Sequence, residues 1–269
     1  MVTAIFLGLA IGALLGLTGA GGGILAVPAL MFGLHLGLAE AAPVALIAVG
    51  SAAALGAMQG LRHGLVRYKA AILMAIAGGL TAPFGLLLAR QLPAALLSMG
   101  FAAVMLIVAA RMARQTMKRS TPRPQAVQPE AHDKPCRLSP TSGRFIWTPR
   151  TALTLGSIGA VSGVCTGLLG VGGGFIIVPA LARFSDARMH SIVSTSLMVI
   201  ALVSAVTVTS AAAHGLALTT IEWAFIGAAI AGMALGRTFA SRVPQAALQR
   251  VFAAVCVVVA GVLVWRALS

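Results

Sequence analysis

Glycine dominates the residues whose type and spacing could do chemistry in this chain. Gly19-Ala-Gly21-Gly22-Gly23 is followed by Pro28, and Gly170-Val-Gly172-Gly173-Gly174 by Pro179. Each element interrupts an apolar stretch and leads into a short apolar helix predicted to begin near Ile24 or Phe175. Glycine permits backbone turns closed to other residues and lets a second group come close. The N–H groups at the start of the following helix, at the positive end of its dipole, make a cradle suited to an anion. Pro28 and Pro179 weaken the hydrogen-bond ladder inside each short helix, which kinks it or turns a carbonyl towards a cavity. A dinucleotide-binding fingerprint does not fit, because Ile24 stands at its last glycine position and neither a strand pattern nor a suitably spaced acidic residue accompanies it.

Hydroxyls are the next donors. Thr18 and Thr166 lie on the approach to each break, and Ser194-Thr195-Ser196 lies near the start of a later apolar segment. Ser51 and Gln59 occupy the corresponding segment of the first half. Such groups can donate to an anion without adding charge, although in membranes they often bond their own helix instead. His63 and His214 hold matching positions at segment ends, where a histidine could gate a path or sense protons. Outside the polar middle of the chain the only acidic residues are Glu40, Asp186 and Glu222, all near segment ends. A carrier of metal cations or protons calls for carboxylates inside the membrane, so neither a metal site nor a cofactor is expected. Cys136, Cys165 and Cys256 have no metal-like spacing and form no disulfide framework.

The elements that must position these residues are written twice. Every matched pair is 151 residues apart: Gly16 with Gly167, Gly19 with Gly170, Pro28 with Pro179, His63 with His214, Gly85 with Gly236. The chain is 59% hydrophobic and 9% charged, and its apolar runs repeatedly reach the length that crosses a bilayer, about 20 residues. That composition excludes a soluble enzyme, which needs more charge on its surface. The first segment belongs to the repeat and lacks the basic start and cleavage site of a signal peptide. Five segments are predicted per half, at 2–18, 22–34, 41–61, 66–89 and 94–112, then at 153–169, 173–185, 190–212, 217–240 and 245–266. The second of each set is too short to span alone and reads as a half-helix. Domain boundaries follow: a first transmembrane repeat at 1–112, a basic linker at 113–150, and a second repeat at 151–269. The linker, rich in proline and basic residues, reads as solvated and unstructured.

Net charge is +14, but its distribution points to topology rather than to nucleic acid. Nine basic residues lie in the linker and the helix end before it, from Arg111 to Arg150, which puts this region in the cytoplasm. Each half has three full segments plus a short pair, so it crosses an odd number of times whether that pair spans or re-enters, and the second half is inverted relative to the first. The loop at 62–69 should then face inward and its mate at 213–220 outward. The former holds Arg62, Arg67 and Lys69, and the latter holds no basic residue. With Arg183, Arg188, Arg237, Arg242 and Arg250 also inward, only Arg90 and Arg266 fall outside, and both termini are expected in the periplasm. The ladders Gly8, Gly12, Gly16 and Gly159, Gly163, Gly167 suit close helix crossings.

The two Gly-x-Gly-Gly-Gly-(x)4-Pro elements, the basic central linker and the overall length resemble the sulfite exporter TauE/SafE family of bacterial permeases. The resemblance covers nearly the whole chain. It implies an inner-membrane permease moving sulfite, sulfonates or related organosulfur anions, with the family's glycine motifs falling on Gly19, Gly21, Gly22, Gly23 and Pro28 and on Gly170, Gly172, Gly173, Gly174 and Pro179. A Thr-Ser-Leu often seen downstream is present as Thr195-Ser196-Leu197, whereas the first half has Val44-Ala45-Leu46. The expected protein is therefore an all-α polytopic membrane protein with inverted repeats, not an enzyme, whose partners are a small anion and the lipid bilayer; homo-oligomerisation stays open. Two other readings stay open with it: a membrane scaffold or assembly factor acting through the linker, and a metal or cation permease on the same fold.

Overall fold

A computed structural model describes residues 1–19, 22–119, 136, 146–212, 218–239 and 245–268. Its first half comprises α1 (Val2–Thr18), a 3₁₀ turn (Gly22–Leu25) leading into α2 (Ala26–Gly33), α3 (Leu38–Arg62), α4 (Tyr68–Gln91) and α5 (Ala94–Arg119). Its second half comprises α6 (Pro149–Leu169), α7 (Gly174–Phe184), α8 (Met189–Ala212), α9 (Thr220–Phe239) and α10 (Gln245–Leu268). Among the described residues four helices are long and apolar enough to cross a bilayer: Glu40–Arg62, Tyr68–Ala89, Pro149–Leu169 and Met189–Thr209.

Burial is distributed as in a membrane protein. Phe6, Leu80, Phe84, Leu153 and Trp265 are exposed apolar side chains, while Ser162, Thr166, Ser191, Thr195 and Ser204 are buried. Trp147, Trp223 and Trp265 stand exposed near helix ends, the level at which amphipathic rings meet the membrane interface. Apolar outside and hydroxylated inside, the molecule is an all-α polytopic membrane protein.

Packing follows from the glycines. α1 lies along α9, α4 along α6, α5 along α10, and α3 crosses α8 at the centre. A Cβ at Gly8, Gly12 or Gly16 would run into the Phe225, Ala229 and Met233 carbonyls respectively. At Gly159, Gly163 and Gly167 it would run into those of Met74, Gly78 and Ala82. These are the same contacts moved by 151 residues with the halves exchanged. Backbones this close gain dispersion and Cα–H···O contacts that bulkier residues would forbid. Thr81 adds a hydroxyl bond across the crossing, donating to the Ala160 carbonyl at 2.9 Å.

Two acidic residues have structural partners. The Glu40 carboxylate accepts from the Gly37 N–H at 3.1 Å and that of Glu222 from the Thr219 N–H at 2.6 Å, each fastening the first turn of a long helix.

One helix runs beyond its predicted apolar segment. α5 continues seven residues past the expected boundary at 112, to Arg119, because Arg, Met, Gln and Lys are good helix formers and no proline intervenes before Pro122. Cys136 is buried rather than solvated: its N–H donates to the Phe184 carbonyl at 3.1 Å, at the end of α7, and the remainder of 120–145 lies outside the described residues. Burial pushes the Cys136 thiol up, so less thiolate is present at any given pH. Near neutral pH it should therefore react with N-ethylmaleimide more slowly than a free thiol, and at the ordinary rate once detergent unfolds the chain.

Replacing Gly12 or Gly163 with Leu should abolish folded protein on size exclusion, or lower its melting temperature by the equivalent of at least about 1–3 kcal/mol. Gly261→Ala, where nothing lies within 4 Å of the added carbon, should be neutral or slightly stabilising in the same assay.

Candidate functional site

Each break ends a helix and begins another with buried backbone. α1 stops at Gly19, whose φ is +86°, and α6 at Gly170, whose φ is +67°. Gly172 and Gly173 are also left-handed, at +70° and +59°, so a side chain at either position is strained. Gly22, Gly23, Gly170, Gly172, Gly173 and Gly174 are all buried; Gly21 lies outside the described residues. The two short helices start differently. The first enters through the 3₁₀ turn, whereas α7 is α-helical from Gly174.

Hydroxyls hold the breaks, in a different way in each half. Thr18 donates to the Leu14 carbonyl at 2.7 Å and accepts from the Gly22 N–H at 3.0 Å, bridging the end of α1 to the 3₁₀ turn. In the second half Ser162 donates to the Gly173 carbonyl at 3.1 Å, and Thr166 donates to the Ser162 carbonyl at 2.7 Å. The Gly173 carbonyl also accepts from the N–H groups of Ile176 and Ile177. Those two N–H groups are therefore engaged, while helix geometry gives Gly174 and Phe175 no acceptor within α7. Pro28 is third in α2, where an N–H has no intrahelical partner anyway. Pro179 is sixth in α7 and removes the N–H that would otherwise bond the Phe175 carbonyl.

The breaks meet between the central helices. A Cβ at Gly23 would stand 3.0 Å from Val49 of α3 and 3.4 Å from the Val171 carbonyl of the opposite break. One at Gly172 would stand 3.4 Å from the same Val49 and 3.0 Å from Ile200 of α8. Val49 and Ile200 are themselves 151 residues apart. Each break also rests on the third helix of the other half: Gly19 against Val193, Gly170 against Ala42.

Ser194, Thr195 and Ser196 serve a neighbouring feature. Thr195 accepts from the Arg67 N–H at 3.0 Å and Ser191 donates to the Leu65 carbonyl at 2.6 Å, tying the start of α8 to the α3–α4 turn. Ser194 packs where a Cβ at Gly60 would go, and Ser196 donates to its own helix at the Val193 carbonyl, 2.8 Å away. His63 is exposed at the end of α3, in that same turn. His214 lies outside the described residues.

Three residues that sequence reasoning passed over belong here. Ser162 is one helical turn before Thr166, a spacing that could have flagged it. Ser204 is eight residues after Ser196, two turns along the same face of α8. Arg237, counted only as a topology charge, donates from Nη1 to the Gly56 carbonyl at 2.7 Å, while its backbone packs against Gly16 one turn before the first break. That places a fixed positive charge between α3 and α9.

The fold is that of a multi-pass helical membrane protein, and its likeness to known proteins makes the class a membrane transporter. The chain belongs to the sulfite exporter TauE/SafE family, whose profile matches residues 4–263. It is 28% identical over 263 residues to a probable membrane transporter protein of Xylella fastidiosa strain Temecula1, and 27% identical to one of strain 9a5c. Each alignment covers 95% of this chain and 92% of the relative. No solved structure gives a significant match.

The two halves should respond unequally to loss of a hydroxyl. Thr18→Val strands the buried Gly22 N–H and should cost about 1–3 kcal/mol, whereas Ser162→Ala leaves the Gly173 carbonyl two backbone donors and should cost about 1 kcal/mol or less. Thermal unfolding in detergent measures both, and equal losses would contradict this account of the breaks.

Proposed function

We propose that the protein is a secondary transporter that moves a small sulfur-containing anion, such as sulfite or an organosulfonate, across the bacterial inner membrane by alternating access. The carrying observation is the meeting of two buried, glycine-rich breaks between α3 and α8, each at the start of a short helix. Broken backbone at membrane depth belongs where it is buried in protein or lines a path. Paired breaks at matching points of two repeats are the usual frame of a midplane substrate site. The described residues around the breaks offer hydroxyls, N–H groups and helix dipoles, which suit oxygens bearing negative charge.

Inverted repeats fit the way the halves pack. α1 on α9 exchanges with α6 on α4, while α3·α8 and α5·α10 map onto themselves, as an axis through the centre requires. With the 113–150 linker in the cytoplasm, the termini are periplasmic and the α3–α4 turn is cytoplasmic. In this reading the halves rock about the breaks, and the bonds from Ser191 and Thr195 to Leu65 and Arg67 close the cytoplasmic side. Exposed His63 stands at that gate, with His214 as its periplasmic counterpart. The triple glycines and Pro28 and Pro179 form the cradle, with Thr18 and Thr166 fixing its shape and Ser194 and Ser196 flanking the gate.

Purified protein in liposomes should take up labelled sulfite or a small sulfonate saturably, with sulfate and chloride as competitors to rank the cargo. Gly22→Val and Gly173→Val should reduce uptake to the level of protein-free liposomes while inserting normally. Full uptake in both variants would remove the cradle from the mechanism. No uptake of any of these anions by folded, oriented wild-type protein would overturn the proposed cargo.

A further inference from the structure

Most hydroxyls inside these helices are bonded, usually to their own helix and, at Ser162 and Ser191, to other elements. Ser51, Thr81, Thr166 and Thr207 each donate to the carbonyl one turn back in their own helix. That bond is always within reach of a helical serine or threonine and normally satisfies it. Ser204 does not make it. The residue is 1% exposed, and its Oγ has no hydrogen-bond partner among the described residues. A buried hydroxyl left unpaired is destabilising, and such groups are rare enough to call for an explanation.

The position of Ser204 supplies one. Its Oγ lies 3.2 Å from where a Cβ at Gly50 would stand and 3.8 Å from where one at Gly172 would stand. The hydroxyl is therefore turned away from its own helix, towards α3 and the left-handed backbone of the second break. Around Gly172 itself the other groups are Val49 and Ile200, while Ser162 and Thr166, already bonded to carbonyls, pack against Gly173 and Ala42 against Gly170. Moved by 151 residues, Ser204 becomes Ala53, so the first half has no equivalent hydroxyl.

We infer that Ser204 is a substrate-binding residue, its hydroxyl donating to an oxygen of a small oxyanion seated beside Gly172. The inference rests on the transport reading above and deepens it by naming a side-chain donor at the meeting of the breaks. The donor is neutral and stands near the positive end of the α7 dipole, so the ligand it fits is a compact anion with several acceptor oxygens, such as sulfite or a small sulfonate.

The test compares wild type with Ser204→Ala, Ser204→Cys and Thr207→Val in liposomes, reading the KM for labelled sulfite, and in detergent, reading the thermal shift produced by sulfite. Cysteine nearly preserves the volume and is a weak donor, so it keeps the comparison valid if alanine leaves too little folded protein. The expected result is a KM raised about tenfold or more in Ser204→Ala and Ser204→Cys, the effect of one hydrogen bond to a charged ligand, with kcat changed less. The sulfite-induced thermal shift should shrink in parallel, and Thr207→Val should match wild type. Wild-type KM in both Ser204 variants, or a change confined to dependence on sodium, overturns the assignment while leaving the anion site standing. Wild type that neither transports sulfite nor is stabilised by it overturns the site and this residue's role together.

Discussion

Backbone N–H and C=O groups cannot be left facing hydrocarbon, and this chain breaks two helices inside a helical membrane protein. Both breaks have to be enclosed by other helices, and the architecture can be followed from that requirement. α3 and α8 cross over the breaks. α1 and α6, which lead into them, are each clasped by a long helix of the other half. Cover comes from both halves: Gly19 rests on Val193 and Gly170 on Ala42 of the opposite half, while Gly23 meets Val49 and Gly172 meets Ile200 of its own. Each break is thus covered partly by the other half, and the repeats interlock there.

Interlocking in turn depends on close approach. The Gly8, Gly12, Gly16 ladder puts α1 directly on the α9 backbone, and Gly159, Gly163, Gly167 puts α6 on α4. A leucine at these points would lever the helices apart and lift the covering from the breaks. Glycine is therefore used for two distinct purposes in one short stretch. Upstream it removes side chains so that helices can touch, and at Gly170, Gly172 and Gly173 it supplies left-handed backbone that redirects the chain.

Most of the fold was legible because its signals are repeated. Apolar runs, the doubled glycine motif and proline positions gave the helices to within a few residues, and the small-residue ladders marked the crossings. What was less legible depended on local competition or on distance in three dimensions. The 3₁₀ turn at Gly22–Leu25 has no counterpart in the second half, although the glycines correspond, because Thr18 bonds Gly22 where the second half has Leu169. The extension of α5 to Arg119 reflects helix propensity outrunning the membrane boundary. Thr195, Ser196 and Ser204 show the harder limit. All three are polar residues of one helix, yet one bonds a neighbouring loop, one its own backbone, and one nothing described. Periodicity says which residues share a face, but it does not say what that face meets.

A division of labour follows from comparing the halves position by position. Residues that set the backbone are repeated: the glycines of both breaks, both prolines, and the crossing ladders. Residues that present hydroxyls are not. Ser162, Thr166, Thr195, Ser196 and Ser204 correspond to Ile11, Leu15, Val44, Ala45 and Ala53, and Thr18 corresponds to Leu169. The proposed rocking between two equivalent states would need matched halves, because each must pack against the other in both states with little difference in energy. Holding a small ligand has no such need, since a single off-axis donor suffices to orient it. A scaffold with two-fold packing and a one-sided set of hydroxyls would meet both demands of the proposed mechanism.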